Sequence, residues 1–497
     1  MKSAAQLSAA ALLLSGAADA FWRMPCTART GLARIDPLVN PGQVSPHSHV
    51  IHGGKNFHLD TNYNDLVQSE CTSCRVTEDK SAYWTPALNF IHEDGTTEVV
   101  PQIGGMLAYY LLFKNEGEKI EAFPPGFQML AGDNRQRNFT LSFPDMEKSL
   151  WSQHPEETTQ KNLGLKALGF NCLNYAINPE PSMYRHFLPD KNYMDQHCPQ
   201  GIRAEIFFPS CWNGELDSPN HKDHVAYPDL VNGGKCPDSH PRRIPSLFYE
   251  TIWFTNKFNG KPGQFVFSNG DPTGYGYHAD FINGWDQKFL QSAIDQCGNP
   301  SGKIEDCPVF QGHIQSEADT AQCTFDVPEV LAKDNCDGPA DGLCGNVPIQ
   351  AGPGYATVIE PGNVEKPTGG YKPPHVTEQP AVPTLSYAPA RSAVTDEYGG
   401  GISVARVNHA NAGKNNGAAA PAPTPAPEAL PNQSTGKGSI ISTSTFTSAG
   451  VVYEVVIEEV PIYVTVDAPE KEGQVKRHYM HLRRDKEHGL LGKRHFH

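Results

Sequence analysis

The sequence predicts a mainly β, sandwich-like domain with a few helices, cross-linked by disulfide bonds and followed by a disordered C-terminal tail. Three observations support this fold class. Short runs of aromatic and β-branched residues alternate with Asp, Gly and Pro, as in β-strands joined by turns. The chain contains 12 cysteines. After Cys344 the composition shifts to stretches rich in Pro, Ala and Gly, which cannot form a packed core.

Residues 1–20 have the features of a secretory signal peptide. Lys2 precedes a run rich in Ala and Leu, and Ala18-Asp19-Ala20 is a cleavage site of the small-x-small type. The apolar run is too short to cross a bilayer, and no later stretch reaches about 18 apolar residues. We therefore expect a secreted protein, extracellular or associated with the cell wall, without a membrane span.

Export to an oxidising compartment predicts that the 12 cysteines form disulfides. They are Cys26, Cys71, Cys74, Cys172, Cys198, Cys211, Cys236 and Cys297 before residue 300, and Cys307, Cys323, Cys336 and Cys344 after it. Both sets are even, so we expect a large domain over residues 21–300 and a small cysteine-rich appendage over 301–348. Spacing does not give the pairing. The Cys71-Thr-Ser-Cys74 motif lacks the βαβ context of a redox dithiol and the second cysteine pair of a zinc site.

The secondary structure of the main domain follows from local patterns. Short strands are expected between Tyr83 and Ala131, where aromatic and β-branched runs are separated by turn residues. Residues 146–173 favour helix, because they are charged and hold few β-branched residues, although Pro155 limits its continuity. The later predicted elements are strands at 203–210, 245–254 and 263–269 and a helix at 286–297.

Beyond the appendage we expect three segments. They are a Pro/Ala/Gly-rich linker over residues 349–438, a β-prone segment over 439–466 and a basic, histidine-rich tail over 467–497. The linker should be extended. The β-prone segment can pair with a partner, with the main domain or with another copy of itself. Paired basic residues in the tail fit either processing-protease sites or ordinary solvated charge.

The overall charge narrows the class of partner. The net charge is −15, and binding to nucleic acid needs a concentrated basic surface, so we expect no nucleic-acid partner. Asn138-Phe-Thr140 is a glycosylation acceptor, consistent with secretion. We expect a monomer whose candidate partners are extracellular polysaccharide or cell-wall material.

The stretch from Arg203 to Asp286 concentrates ionisable side chains between turn formers and aromatic residues, unlike a core strand. Upstream, His47 and His49 face the same side if the backbone there is extended, since side chains alternate along a strand. The candidate metal ligands are His47, His49, His224, His240 and His278. The candidate catalytic residues are Asp217, Asp223, Glu250 and Asp280, and the candidate substrate-binding residues are Trp212, Tyr275, Tyr277 and Trp285.

Each of these residues also has a purely structural interpretation. His47 and His49 can be surface histidines of a loop, and His240 can form a turn with the proline that follows it. Asp217 can cap a loop. The aromatic residues can belong to the core, which is the favoured interpretation of Trp253 because its neighbours are apolar.

Five sequence blocks resemble one known family. They read PGQVSPHSHVIHGGKNF, CTSCRVTEDKSAYWTPAL, FPSCWNGELDSPNHKDHVAYP, GKCPDSHPRRIP and GYGYHADFINGWD, in this order between Arg34 and Cys297. Together they resemble the secreted fungal and bacterial family known as domain of unknown function 1996. The resemblance implies that the motif residues of this chain are His47, His49, Cys211, Trp212, Asp217, Ser218, His221, His224, Tyr227, Cys236, His240, Pro241, His278, Asp280, Asn283, Trp285 and Asp286. The family name implies no reaction.

Three functions fit these residues. The first is a metal-dependent hydrolase of polysaccharide or another extracellular polymer, with a divalent metal, zinc or copper, held by imidazoles and carboxylates. The second is metal-free catalysis, in which paired carboxylates act as acid and base on a glycosidic bond and aromatic rings stack on sugars. The third is a non-catalytic cell-wall-binding, carbohydrate-binding or metal-binding protein. A serine hydrolase is disfavoured because the chain has no G-x-S-x-G motif.

Overall fold

The computed structural model describes residues 21–361 and two later strands. The strands are β1 (Phe21–Cys26), β2 (Gly31–Ala33), β3 (His49–Gly53), β4 (Ala82–Pro86), β5 (Leu88–His92), β6 (Thr96–Val99), β7 (Gln102–Leu111), β8 (Gln128–Gly132), β9 (Leu168–Cys172), β10 (Ile202–Phe207), β11 (Cys211–Trp212), β12 (Val225–Ala226), β13 (Arg242–Arg243), β14 (Ser246–Trp253), β15 (Gly263–Phe267), β16 (His278–Ile282), β17 (Ala340–Asp341), β18 (Ser439–Ser448) and β19 (Val451–Glu459). The α-helices are α1 (Tyr63–Val67), α2 (Gln160–Lys166), α3 (Lys191–His197), α4 (Gln287–Gln296) and α5 (Glu317–Gln322). Short 3-10 helices span Lys148–Gln153, Pro155–Thr158, Thr255–Phe258, Ile304–Asp306, Pro308–Phe310 and Glu329–Leu331.

Two antiparallel sheets of five strands each pack face to face. The first has the order β1-β7-β14-β10-β9, and the second has the order β2-β3-β4-β16-β8. Because side chains alternate along a strand, Tyr83 of β4 points between the sheets, where its ring centroid lies 5.6 Å from that of Tyr249 of β14. This arrangement confirms the predicted mainly β, sandwich-like fold with few helices. Two smaller sheets, β15-β5-β6-β17 and β12-β11-β13, complete the domain.

The core between the sheets contains a buried polar network. The Tyr83 hydroxyl donates to the Asp79 carboxyl at 2.5 Å and lies 2.6 Å from the Tyr110 hydroxyl. The Trp285 indole donates to the Tyr110 hydroxyl at 2.8 Å. Each polar group of the network therefore has a partner, which offsets the free-energy cost of burying it.

The outer face of the second sheet is also buried. A separate apolar cluster, here called the outer layer, packs on this face. Its members include Ile35 and Leu38 from the segment before β3, Trp84 from β4, and Phe325 and Leu331 from the region after residue 300. Both faces of β3, β4 and β16 are consequently buried, which explains why these strands show no exposed polar alternation.

All 12 cysteines are paired, which confirms the predicted six disulfides. The pairs are Cys26–Cys74, Cys71–Cys323, Cys172–Cys198, Cys211–Cys236, Cys297–Cys307 and Cys336–Cys344. Cys71 and Cys74 have different partners and do not form a dithiol pair. Two bridges cross residue 300, so the cysteine-rich region is fastened to the preceding part of the chain as well as to itself.

The helix expected at 286–297 is present as α4, whereas the helix expected at 146–173 is present only in part. Helix α4 begins after Asp286, whose side chain accepts a hydrogen bond from the Phe289 amide at 2.9 Å. The helical expectation for residues 146–173 is met by two 3-10 helices and α2, but it is wrong for β9. The apolar run of β9 pairs with β10, and this tertiary pairing outweighs local propensity.

The remaining predicted segments are described only in part. The signal peptide, the basic tail and the linker beyond residue 361 lie outside the described residues. Within the β-prone segment, β18 and β19 pair as an antiparallel hairpin. In the described portion of the chain, no helix is both long enough and apolar enough to cross a bilayer.

Candidate metal centre

Strand register places several polar side chains on the outer face of the second sheet. His49 lies opposite Pro86 across β3 and β4, and Asp280 lies opposite Trp84 across β16 and β4. Trp84 and Pro86 are two residues apart and share one face, so His49 and Asp280 share it too. His278, two residues before Asp280, points the same way.

Three imidazoles meet beneath the outer layer. One ring nitrogen from each of His47, His49 and His278 lies within 4.8 Å of the other two. The Nε2 atoms of His47 and His278 are 3.2 Å apart. All three side chains are buried, and the most exposed, His47, has only 5% of its surface accessible. The predicted pair His47 and His49 thus converges in space with His278, which lies 231 positions after His47 in the sequence.

The backbone fixes which nitrogen of two rings can bind a ligand. His49 Nδ1 donates to the Ile35 carbonyl at 3.1 Å, and His278 Nδ1 donates to the Gly276 carbonyl at 2.9 Å. A carbonyl only accepts, so each Nδ1 carries the proton and each Nε2 carries a lone pair. The Nε2 of His49 is buried and has no hydrogen-bond partner within residues 21–361.

This arrangement fits a transition-metal ion. Imidazole suits both zinc and copper, and a ligand histidine normally donates its second N–H to an acceptor, as His49 and His278 do. Burial lowers the pKa of His47 and His49 well below the ordinary value, and burial lowers the pKa of His278 to about 4. The rings are therefore neutral at neutral pH, which metal binding requires.

A buried carboxylate, Asp271, holds the turn residue Gly276, which in turn orients the His278 ring. Asp271 accepts hydrogen bonds from the Gly276 amide at 2.6 Å and from the Thr273 amide at 2.8 Å. Its charge is matched by Arg137, whose Nε lies 3.6 Å from the Asp271 carboxylate. Because the Gly276 carbonyl holds the His278 ring, Asp271 positions that ring through one intervening residue.

Two buried carboxyl groups belong to the segments that carry or hold the imidazoles. Asp280 is fully buried, and neither of its oxygens has a hydrogen-bond partner among the described residues. Asp36, next to the residue whose carbonyl holds His49, accepts from the Val39 amide at 3.0 Å. Burial and the neighbouring Asp36 raise the pKa of Asp280, and burial raises the pKa of Asp36 to about 6. The positive charge of Lys222 acts in the opposite direction on Asp280.

The structure does not bring His224 and His240 to this cluster. Both nitrogens of His224 are engaged, with the Gln128 carbonyl at 2.8 Å and the Ser218 hydroxyl at 3.0 Å. The Nε2 of His240 donates to the Asp223 carbonyl at 3.0 Å. These two histidines order the loop that follows β11.

The other predicted acidic residues are dispersed. Asp217 contacts His221 at 2.9 Å and accepts from the side-chain amide of Gln128 at 2.6 Å, and Asp223 is exposed. Glu250 belongs to the first sheet, where it accepts from the Tyr109 hydroxyl at 2.7 Å. Of the four candidate catalytic residues, Asp280 is the one on the face that carries the imidazoles.

The predicted aromatic residues also occupy different environments. Tyr277 and Trp285 are fully buried in the core, and Trp212 is buried with the Arg242 guanidinium 3.9 Å above its ring. Tyr275 is half-buried and lines a cavity of about 540 Å³. The same cavity is lined by Asp223 and His240, so three predicted site residues share it.

The cavity adjoins the metal-ligand face at Gly132, the last residue of β8. Gly132 lies opposite His278 in the sheet, and its φ is +82°. A Cβ added there would lie 2.5 Å from the Tyr277 carbonyl oxygen and 2.9 Å from His278 Cα, so glycine permits the close approach. Lys222, which lines the cavity, donates from its ammonium group to the Gly132 carbonyl.

Sequence reasoning missed Asp36, Lys222 and Tyr355. Lys222 lies inside the same polar loop as Asp223, so that loop's density of charge was a usable signal. Asp36 precedes a proline, which suggests only a turn. Tyr355 follows the cysteine-rich region in a Pro/Gly-rich stretch, and nothing local indicates that it lines a cavity.

A second group with metal-ligand atoms has an ordinary explanation. Asp334, Cys336 and Cys344 lie close together, but the two cysteines form a disulfide with each other. Asp334 forms an ion pair with the buried Arg34, at 2.7 Å. This group holds the cysteine-rich region against the segment before β3.

The family model described as "Domain of unknown function (DUF1996)" matches residues 36–285, about half of the chain. The matched region includes all three clustered histidines and ends before the cysteine-rich region. Comparison with curated proteins and with solved structures finds no significant match.

Proposed function

Because the chain belongs to the family called domain of unknown function 1996, whose name assigns no activity, we propose a function from the site: a secreted metal-dependent hydrolase of polysaccharide or another extracellular polymer. His47, His49 and His278 are the proposed ligands of one zinc or copper ion. The six disulfides favour an oxidising, extracellular location.

One observation carries the proposal, namely that three buried imidazole nitrogens converge and at least one of them has no partner in the described chain. A buried polar atom without a hydrogen bond costs about 1–3 kcal/mol, so an arrangement of this kind is explained by a ligand that binds the lone pairs. Backbone carbonyls already orient His49 and His278 for that role.

The number of protein ligands favours catalysis. Structural zinc sites normally use four protein ligands, whereas catalytic sites use three and keep one position for water. A bound zinc ion would supply a water molecule of lowered pKa. Asp280 lies on the same sheet face with both oxygens unpartnered in the described region, and its raised pKa makes it the proposed group that would exchange a proton with such a water.

The burial of the cluster favours a second candidate, a non-catalytic metal-binding protein. None of the three histidines has more than 5% of its surface exposed. A polymer chain cannot reach ligands that stay covered, so catalysis requires access from the side of the adjoining cavity. Accessibility of the fourth coordination position therefore distinguishes the two candidates.

Metal content tests the ligand assignment. The full-length secreted protein would be stripped with a chelator, reconstituted with zinc or copper, and analysed for bound metal together with His47→Gln, His49→Gln and His278→Gln. We expect about one ion per chain in the wild type and loss in each folded variant. His52→Gln is the matched control, because His52 is buried on the same strand with both nitrogens unpartnered in the described part. Wild-type protein without metal would overturn the proposal.

A second experiment distinguishes the hydrolase from the non-catalytic metal-binding protein. In cobalt-substituted protein, azide binding to an open position changes the visible spectrum, and a closed site gives no change. We expect a change, and we expect Asp280→Asn to retain the ion while losing hydrolysis of soluble polysaccharide. An unchanged spectrum would favour the non-catalytic candidate.

A further inference from the structure

We propose that the cavity beside His278 is a saccharide-binding subsite of the metal centre, and that Tyr355, which lies outside the family-matched region, forms one of its walls. This role rests on the proposed function, because it names the substrate class of the same site. Its volume of about 540 Å³ lies within the range of roughly 300–1,000 Å³ that is typical of small-molecule sites.

The wall that carries Tyr355 is held in place by specific contacts. The Gln350 amide donates to the Gly270 carbonyl at 2.9 Å, and the Ala356 amide donates to the Arg135 carbonyl at 2.9 Å. The buried Arg137 donates to the Gln350 carbonyl at 2.8 Å. This segment, residues 347–357, is therefore a strap fastened to the turn after β8 and to the turn after β15.

The lining has the chemistry of a neutral sugar site. Its charged side chains balance, with Lys161 and Lys222 against Asp133 and Asp223. A balanced set of donors and acceptors suits hydroxyl groups better than it suits a strongly charged ligand. Amide groups from Gln136 and Gln160 add further donors and acceptors.

Three tyrosines line the cavity, and two of them, Tyr275 and Tyr355, are not fully buried. Tyr275 is half-buried, and its ring is stacked on Phe139 with centroids 6.1 Å apart, so its orientation is fixed. Tyr355 is 54% exposed, and the Arg135 guanidinium lies 5.9 Å from its ring centroid. A tyrosine offers a flat apolar face and a polar tip, which match the CH face and the hydroxyl edge of a sugar ring.

The cavity is joined to the metal ligands by short contacts. Lys222 lines the cavity and donates to the carbonyl of Gly132, which pairs with His278 in the sheet. A sugar bound in the cavity is thus next to the proposed ligand set rather than at a remote surface.

Calorimetry with defined oligosaccharides tests this proposal. Short, soluble oligosaccharides of glucose, mannose and N-acetylglucosamine would be titrated into the full-length secreted protein in its metal-loaded form. We expect at least one to bind, and we expect Tyr275→Ala and Tyr355→Ala each to weaken that binding roughly tenfold, since a stacked aromatic ring contributes about this much. Tyr184→Ala is the matched control, because Tyr184 is also exposed under an arginine, Arg185, but does not line the cavity.

The outcomes separate this proposal from the metal assignment. Binding that is weakened in both cavity variants and unchanged in the control supports the subsite. No binding by any of the three sugars, or binding equally strong in the cavity variants, overturns it. Metal content measured on the same samples reports independently on the histidine cluster, so loss of the saccharide result with metal retained leaves the ligand assignment standing.

Discussion

The Nε2 atoms of His47 and His278 lie 3.2 Å apart, although 231 positions separate the two residues along the chain. Two nitrogens at about 2.0–2.1 Å from one tetrahedral zinc ion would be roughly 3.3 Å apart. The observed separation is close to that of two ligands of a single ion, and it also fits an N–H···N hydrogen bond between the two rings.

Asp271 positions His278 without touching the metal site. Asp271→Asn replaces the charged acceptor of the Gly276 amide, so the Gly276 carbonyl should hold the His278 ring less firmly. We expect metal affinity to fall about 10–100-fold, as for other residues that orient a ligand. Competition with a coloured chelator measures this change. Asp145→Asn is the control, because Asp145 contacts a histidine outside the cluster, His186, at 2.9 Å; equal losses in both variants would contradict the assignment.

Gly132→Ala should destabilise the protein at the junction of cavity and metal site. The added Cβ would lie 2.5 Å from the Tyr277 carbonyl oxygen, in addition to the strain of a φ of +82°. Gly117→Ala is the matched control, because Gly117 has a φ of +81° and open space around it. We expect the control to lose about 1–2 kcal/mol of unfolding free energy and Gly132→Ala to lose about 1–3 kcal/mol more.

Urea unfolding of both variants measures that difference. Equal losses would show that backbone strain alone accounts for the effect and that the contact with His278 does not matter.

Ionisation of Asp79 should make stability depend on pH. Burial raises the pKa of Asp79 to about 6, above its unfolded value near 3.9. Between these values the native state holds a proton that the unfolded state releases, so stability falls as pH rises from about 4 to about 6. Asp79→Asn removes the ionisation. As the pH rises from about 4 to about 7, we expect the unfolding free energy of the variant to increase by roughly 3 kcal/mol relative to that of the wild type.

Urea unfolding at the two pH values measures this gain. The other titrating groups are common to both proteins and cancel in the difference. A constant offset between wild type and variant would show that Asp79 does not change its protonation on folding.

Phe325 should control access to the metal site through the outer layer. Its ring packs on β2, where a Cβ on Gly31 would come within 2.0 Å of it, and it belongs to the apolar cluster that covers the outer face. Phe325→Ala should reduce the unfolding free energy by about 3–5 kcal/mol. It should also speed the release of metal to a chelator under native conditions. Phe325→Leu, which keeps most of the volume, should release metal at nearly the wild-type rate; equally fast release from both variants would contradict this role.

The sequence predicted the fold class and the disulfides because both follow from local pattern and compartment. Alternation and turn residues indicated the strands, and the even cysteine count in an exported chain indicated the bridges. For Leu168 and Phe170 in β9 the sequence predicts a helix, because local charge favours it and the pairing with β10 is not visible locally.

The candidate site was predictable only in part. The candidate ligands His47, His49 and His278 do meet: the register of β3 and β16 directs His49 and His278 to one face, and His47 joins them from the bend before β3. His224 and His240 have the same residue type and equally polar surroundings, yet their nitrogens bond to nearby backbone and side chains. Which histidine keeps a free lone pair depends on long-range strand order, and sequence spacing does not encode it.

The Cys71–Cys323 bridge links residues 252 positions apart and fastens the region that holds Phe325 to the segment between α1 and β4. Synthesis proceeds from the N-terminus, so His47, His49 and His278 are all made before the region that holds Phe325. We expect the ion to enter while this cover is still open, which ties metal acquisition to oxidative folding. The metal supply of the compartment where the bridge forms would then decide which ion the mature protein carries.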